Sequence, residues 1–176
     1  MPKYTVDDIR REYSRLDAMT GATISELPIK ISKRGVTRYG SCRWQIRNGI
    51  VYPLWISISD FILACEDGFW EVIRHEYAHA LVAVRTGRKH GHDAVWKAAC
   101  REIGCNTSRL SHQEDAHALS VEKRVQKERY EIYCRNCGRR WRKMRKTNAI
   151  KAIEGGRPCH CIPCGSSDLG IHYLKE

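Results

Sequence analysis

His75-Glu76-Tyr77-Ala78-His79 lies inside an apolar-periodic run, with Phe69-Trp70-Glu71-Val72-Ile73-Arg74 before it and Ala80-Leu81-Val82-Ala83-Val84 after it. Residues four apart share one face of an α-helix, so this spacing aims both imidazoles at one point. Two converging imidazoles are a ligand pair for Zn²⁺. The glutamate between them is turned toward the same cation, where it can take a proton from water. Boundaries for the helix are present too: Asp67 reads as its N-cap and Gly87 as its stop. The plainer reading is a pair of surface histidines. The apolar flanks oppose it, because they require a buried helix with one polar stripe.

A hydrolytic zinc site uses three protein ligands and keeps one position for water. The longer pattern H-E-x-x-H-x-x-G-x-x-H is excluded, since Val82 and Arg85 stand where its glycine and last histidine belong. The chain continues as Thr86-Gly87-Arg88-Lys89-His90-Gly91-His92, and its glycines allow a turn that returns a side chain to the polar face of the helix. A second helix is expected from Asp93 as cap to Gly104 as stop. His92 stands at its lip and is the favoured third ligand, because an element end holds a side chain more rigidly than mid-loop. His90 is the next choice and Glu102, on the second helix, a weaker third. Against all of these stands a solvated basic loop.

The chain has 176 residues, enough for one modest domain and a small module. Its charged start, Met1-Pro2-Lys3-Tyr4-Thr5-Val6-Asp7-Asp8, carries no secretory apolar core, and no run approaches the roughly 20 apolar residues that span a bilayer. A cytoplasmic protein without membrane partners is expected, associated with the nucleoid in a bacterial or archaeal cell. In that compartment nine cysteines point to metal before disulfides.

Val6, Ile9, Tyr13 and Leu16 have helical spacing, which predicts a helix over 5–18 with Thr5 as N-cap and Gly21 as its end. Leu27 to Ser32 alternates as a strand. Tyr39 to Arg47 and Ile50 to Ser57, joined by Asn48-Gly49, read as a hairpin. Its second strand is expected to form the edge of the cleft, where an extended peptide could pair. Residues 106–120 read as irregular and 122–131 as a charged helix or linker. Cys42, Cys65, Cys100 and Cys105 read as small buried hydrophobes, and His112, His117 and His172 as solvated.

Cys134-Arg135-Asn136-Cys137-Gly138 and Cys161-Ile162-Pro163-Cys164-Gly165 repeat one pattern, C-x-x-C-G. Two such knuckles make a closed S₄ shell, which is a structural zinc site with no open position for water. The 23-residue spacer can hold a hairpin, and Cys159 is an alternative to Cys161. Residues 121–160 carry 13 basic and 4 acidic side chains, a net +9 of the chain's +11. Within them, Arg139, Arg140, Arg142, Lys143, Arg145 and Lys146 offer charge for phosphates, and Trp141 an aromatic for an exposed base. The plainer reading is a solvated face or a dock for acidic protein.

His75-Glu76-x-x-His79 followed by His92-x-x-x-Trp96 resembles the SprT-like metallopeptidases, whose Spartan-type members digest proteins crosslinked to DNA. Arg38-Tyr39-Gly40-Ser41-Cys42-Arg43 with Ile50 to Ser57 looks like that family's hairpin before the zinc helix. The paired cysteines look like the zinc ribbon that many members append, although Cys159-His160 is an addition to it. The resemblance runs from about residue 25 to the end, and only the zinc helix and the paired cysteines are specific motifs. It implies an α+β fold, a zincin-like metallopeptidase domain of helices with a small antiparallel sheet, followed by a small β zinc ribbon. The expected division is 1–120 for the peptidase domain, 121–131 for a linker and 132–176 for the ribbon. It implies one catalytic Zn²⁺ on His75, His79 and His92 with Glu76 as base, and one structural Zn²⁺ on Cys134, Cys137, Cys161 and Cys164. The expected partners are DNA of either strandedness, without sequence readout, and the proteins bound to it. Tyr39, Tyr77 and the second helix are unranked sources of an oxyanion stabiliser. A DNA-binding adaptor whose metallopeptidase-like domain is structural or regulatory is the rival, and the intact Glu76 argues against it.

Overall fold

The computed structural model describes residues 2–35, 38–108 and 114–174, so His112 lies outside the described residues. The chain forms two compact units, residues 1–121 and 122–176, in a mixed α+β arrangement.

The first unit opens with helix α1 (Val6–Thr20), begun by a capping box. The Asp8 carboxylate accepts the Thr5 N–H at 2.8 Å, and the Thr5 hydroxyl accepts the Asp8 N–H at 3.4 Å. Ile9, Tyr13 and Leu16, spaced for one face, are buried. Three strands follow: β1 (Ile29–Ser32), β2 (Gly40–Arg47) and β3 (Ile50–Ser59). Asn48 (φ 50°) and Gly49 (φ 78°) are both left-handed, as a two-residue hairpin turn requires. The strand order is β1-β3-β2, with β1 parallel to β3 and β2 antiparallel to it. The expected antiparallel sheet is therefore mixed. The expectation that β3 forms the cleft edge is also overturned: β3 is the central strand, and the edges of the sheet belong to β1 and β2. That parallel partner arrives from a separate segment, which hairpin spacing could not reveal.

After a short 3-10 turn at Asp60–Ala64 comes helix α2 (Asp67–Thr86), with the motif at its middle. Asp67 is the first helical residue and not the cap; Glu66 takes the cap position without a side-chain hydrogen bond. Gly87 ends the helix as expected. Helix α3 (Ala94–Glu102) is capped by Asp93, whose carboxylate accepts the Val95 and Trp96 N–H groups at 3.1 Å. Ile56 and Ile58 from β3, Phe69, Ile73 and Leu81 from α2, Tyr13 and Leu16 from α1, and Trp96 from α3 build one core. Each such side chain stabilises the fold by roughly 1.5–3 kcal/mol. Helix α4 (Glu114–Gln126) replaces part of the expected irregular segment 106–120, and its Ala116 is buried in the same core. That alanine is a small contact that left no periodic signal.

The second unit holds β4 (Tyr130–Cys134), β5 (Arg140–Lys143), helix α5 (Asn148–Glu154) and β6 (Leu169–Tyr173). Its sheet has the order β5-β4-β6 and is antiparallel throughout. The spacer between the knuckles thus contains a strand and a short helix. Thr147 caps that helix, accepting the Ile150 N–H at 3.4 Å.

Candidate metal centres

His75 and His79 project from one face of α2, and His92 reaches them from the turn before α3. One ligand atom from each of the three lies within 4.8 Å of the others, and His92 Nε2 is 3.0 Å from His75 Nε2. Tetrahedral zinc with bonds of about 2.0–2.1 Å would separate its nitrogens by about 3.3 Å. The rings rest on Trp96, which is fully buried, with centroids 4.7, 5.3 and 4.6 Å from those of His75, His79 and His92. A hydrogen bond between His79 and the His90 backbone orients one of the three. Burial, then the neighbouring imidazoles, hold His75 down at about 4 and His79 at about 3. Both are therefore neutral near pH 7 and offer lone pairs. Converging lone pairs at 3.0 Å repel unless a proton or cation lies between them. This donor set fits a cation such as Zn²⁺ and leaves one tetrahedral position for water.

Glu76 is 6% exposed. Burial pushes its carboxyl up to about 8, while the Cys42 backbone N–H and the charge of Arg38 pull the other way. A bound cation would add to that downward pull. Since the Cys42 N–H points to Glu76 and not into the β2–β3 ladder, the carboxylate lies along the free edge of β2. Gly40 makes this possible: a Cβ there would stand 2.6 Å from Glu76 Cγ and 2.8 Å from Oε1. Cys42 itself is buried, its thiol raised by burial and by Glu76, so it is no nucleophile. The roles of Gly40 and of the Cys42 backbone were missed in the sequence. Only a family resemblance points to their segment, and no spacing links it to residue 76.

The other sequence candidates are placed elsewhere. His90 Nδ1 is paired with Asp93 at 2.8 Å, and His90 is outside the three-histidine group. Glu102 is held by Arg85 through contacts of 2.5 and 2.8 Å. Tyr77 faces the core side of α2, where its hydroxyl meets Asp17 and Thr20, each at 2.8 Å. Tyr39 packs edge-on against Phe61.

In the second unit Cys134, Cys137, Cys161 and Cys164 converge within 4.8 Å. Cys134 and Cys164 sulfurs are 3.6 Å apart, as are those of Cys137 and Cys161. A tetrahedral Zn–S₄ shell with bonds of about 2.3 Å has edges of about 3.8 Å, so this spacing fits a metal and is far too long for a disulfide. Each knuckle is closed by a hydrogen bond from glycine N–H to the first cysteine's carbonyl, Gly138 to Cys134 at 3.0 Å and Gly165 to Cys161 at 2.7 Å. Cys161 is in the cluster; Cys159 lines a pocket beside Ile153, Arg157 and Leu169.

The basic segment is less uniform than its composition. Arg140 pairs with Glu131 at 2.7 Å, Arg142 with Glu131 at 3.2 Å and Glu128 at 3.5 Å, and Lys146 with Glu154 at 2.5 Å. Arg139, Lys143 and Arg145 have no carboxylate partner among the described residues. Trp141 stands opposite the buried Ile132, on the other sheet face from Arg140 and Arg142. The rings on the arginine face are Tyr133 and His172, stacked at 4.4 Å.

Three converging imidazoles with a buried helical carboxylate define the site of a metallopeptidase-like protein. The SprT-like family model matches residues 9–131, and the chain belongs to the SprT-like family. That match covers the three histidines, Glu76 and the β2–β3 hairpin but ends before the first knuckle. Comparison with curated proteins gives no match. No helix among the described residues is long and apolar enough to cross a membrane.

Proposed function

We propose that the chain is a zinc-dependent endopeptidase acting on DNA-associated proteins, including those crosslinked to DNA, and that its second unit recruits it to DNA. The observation that carries the reading is Glu76, a buried carboxylate on the face of α2 where the histidines converge. A purely structural metal site has no use for a buried base. Bound by His75, His79 and His92, Zn²⁺ would supply a polarised water and a Lewis acid for the peptide carbonyl. Glu76 would take a proton from water there and pass it to the departing amine, a task suited to a group whose proton affinity burial has raised. The free edge of β2 offers backbone groups to an extended peptide. Cys134, Cys137, Cys161 and Cys164 would hold a second, structural Zn²⁺ and so order the basic sheet.

DNA binding by that unit is sequence-independent charge attraction, steeply weakened by salt, with Arg139, Lys143 and Arg145 as the unpaired contributors. Substrate and enzyme then share one polymer, at a raised effective concentration. The test is cleavage of a DNA-binding protein by the zinc-loaded chain, with and without DNA. Wild type should cleave and be stimulated by DNA, and Glu76→Gln should do neither. Reversing Arg139, Lys143 and Arg145 should lower DNA affinity and abolish stimulation. Absence of cleavage by the zinc-loaded chain under all conditions overturns the peptidase reading; equal stimulation of the charge-reversed protein overturns the recruitment.

A further inference from the structure

We infer that Trp44 and Ile46 form an apolar wall of the substrate cleft, which selects a bulky apolar side chain at one fixed position beside the scissile bond. This rests on the peptidase reading. It adds a side-chain preference to the backbone pairing that the edge of β2 offers.

Cys42, Trp44 and Ile46 stand opposite Ile56, Pro53 and Val51; the register shift between Arg43 and Trp44 is taken up by an extra residue of β3, so β2 keeps its alternation and the three share one face. That face looks toward α2, because Cys42 is buried and the Trp44 ring sits 6.0 Å from that of His79, edge to face. Along β2 the sequence of contacts is therefore Gly40 on Glu76, Trp44 beside His79, and Ile46 beyond them. Trp44 is half-buried against the core, whereas Ile46 is 72% exposed although its cross-strand partner Val51 is only 7% exposed. The β3 side of the pair is covered and the β2 side is open.

One exposed isoleucine is ordinary on a protein surface. Ile46 differs in lying two residues along the same face from an indole that reaches the His79 ring, and in its place on an edge strand. A peptide paired to that edge sets alternate side chains next to those of β2 on the same face. With its scissile carbonyl at the histidine cluster, its neighbouring residue on that face meets Trp44 and Ile46. Both are uncharged and offer hydrocarbon surface, so the side chain that gains by packing there is apolar, and a charged one loses hydration without a partner.

The experiment uses the full zinc-loaded chain on a mixture of unstructured peptides, with cleavage sites read by mass spectrometry. Wild type should favour Leu, Ile, Met, Phe or Trp at one position relative to the cut. The kcat/KM ratio of an apolar over a matched Asp peptide should be about 10–100, the range that a few methylene contacts provide. In Ile46→Glu that ratio should fall toward one, mainly through KM, with zinc content and the thermal transition retained. Trp44→Leu, which keeps an apolar wall of another shape, should shift the preference among apolar residues and not erase it. Cleavage by wild type without such a preference, or an unchanged ratio in Ile46→Glu, overturns the wall and leaves the peptidase reading standing. A dimer that Ile46→Glu dissociates would also overturn it, since Ile46 would then be covered by a second copy. Failure of wild type to cut any peptide is the separate result that removes the peptidase reading and the wall with it.

Discussion

The two ligand clusters are built in opposite ways. His75 and His79 stand on α2 and His92 in the turn before α3, in a unit whose large apolar core holds the backbones that carry them. The four cysteines belong to a unit whose buried apolar side chains, among the described residues, are Ile132 and Ile150 together with two of the cysteines themselves. Two isoleucines contribute at most about 6 kcal/mol, and ordering each residue costs about 1.5 kcal/mol. The first unit would position a metal; the second would need a metal to position it.

The widest separation between them is expected on chelation. Stripping zinc from the loaded chain should unfold residues 122–174, because structural zinc is worth on the order of 10 kcal/mol of folding free energy in small modules. Residues 2–108 should keep their helical amide protection in hydrogen exchange. A second unit that stays protected after its metal is gone would break the comparison at its root.

Substitutions within the first cluster should separate chemistry from scaffold. Glu76→Gln is expected to lower hydrolysis by about 10²–10⁴-fold with zinc still bound. His92→Ala should lose both zinc and activity. His90→Ala should lose no more than about tenfold, because the bond to His79 uses the His90 backbone and not its ring. Zinc content and initial rates, measured side by side, decide this. Retained zinc in His92→Ala would move the third ligand elsewhere.

A smaller effect is expected at the floor of that cluster. Trp96→Ala removes the ring on which all three imidazoles rest and should cost about 3–5 kcal/mol by denaturant titration. Weaker zinc affinity should accompany the loss. If stability falls and affinity does not, the imidazoles are held without their floor.

The smallest effect is electrostatic. Burial raises Glu12, but hydrogen bonds and charge from Arg15 and Arg74 more than offset it, so its carboxyl lies below the usual range. A depressed carboxyl stabilises the fold above its unfolded pKa and loses that contribution as pH falls through the folded value. Glu12→Gln should therefore be less stable than wild type by about 1 kcal/mol at pH 7, after allowance for solvent screening. The gap should close below about pH 4. A gap that persists in acid would mean that packing, not charge, is what Glu12 contributes.

What the sequence disclosed follows from range. Spacing within one element was legible: the histidines four apart, the α1 face of Ile9, Tyr13 and Leu16, the Asn48-Gly49 turn and the two knuckles each depend on neighbours a few residues away. His92 was reachable because the turn from α2 to α3 is short. Relations between distant segments were not legible. The parallel docking of β1 on β3, the approach of Gly40 to Glu76 and the pairing of Arg140 and Arg142 with Glu131 are set by tertiary packing, which leaves no periodic mark. Trp141 illustrates the limit within a strand: it interleaves with arginines along the chain, but alternation sends it to the opposite face.

The three heavy atoms nearest to a Cβ at Gly40 all belong to Glu76, so the volume of one methyl group can serve as a switch on the proposed base. In Gly40→Ala the new carbon and the Glu76 carboxylate would compete for the same space. The histidines, on the neighbouring turns of α2 and before α3, would be left in register. Such a protein would still load zinc and still engage a peptide along β2, but its base would be displaced from the water it must deprotonate. A single carbon atom would thus turn the proposed peptidase into a capture reagent that holds its substrates uncut, ready to be recovered and identified.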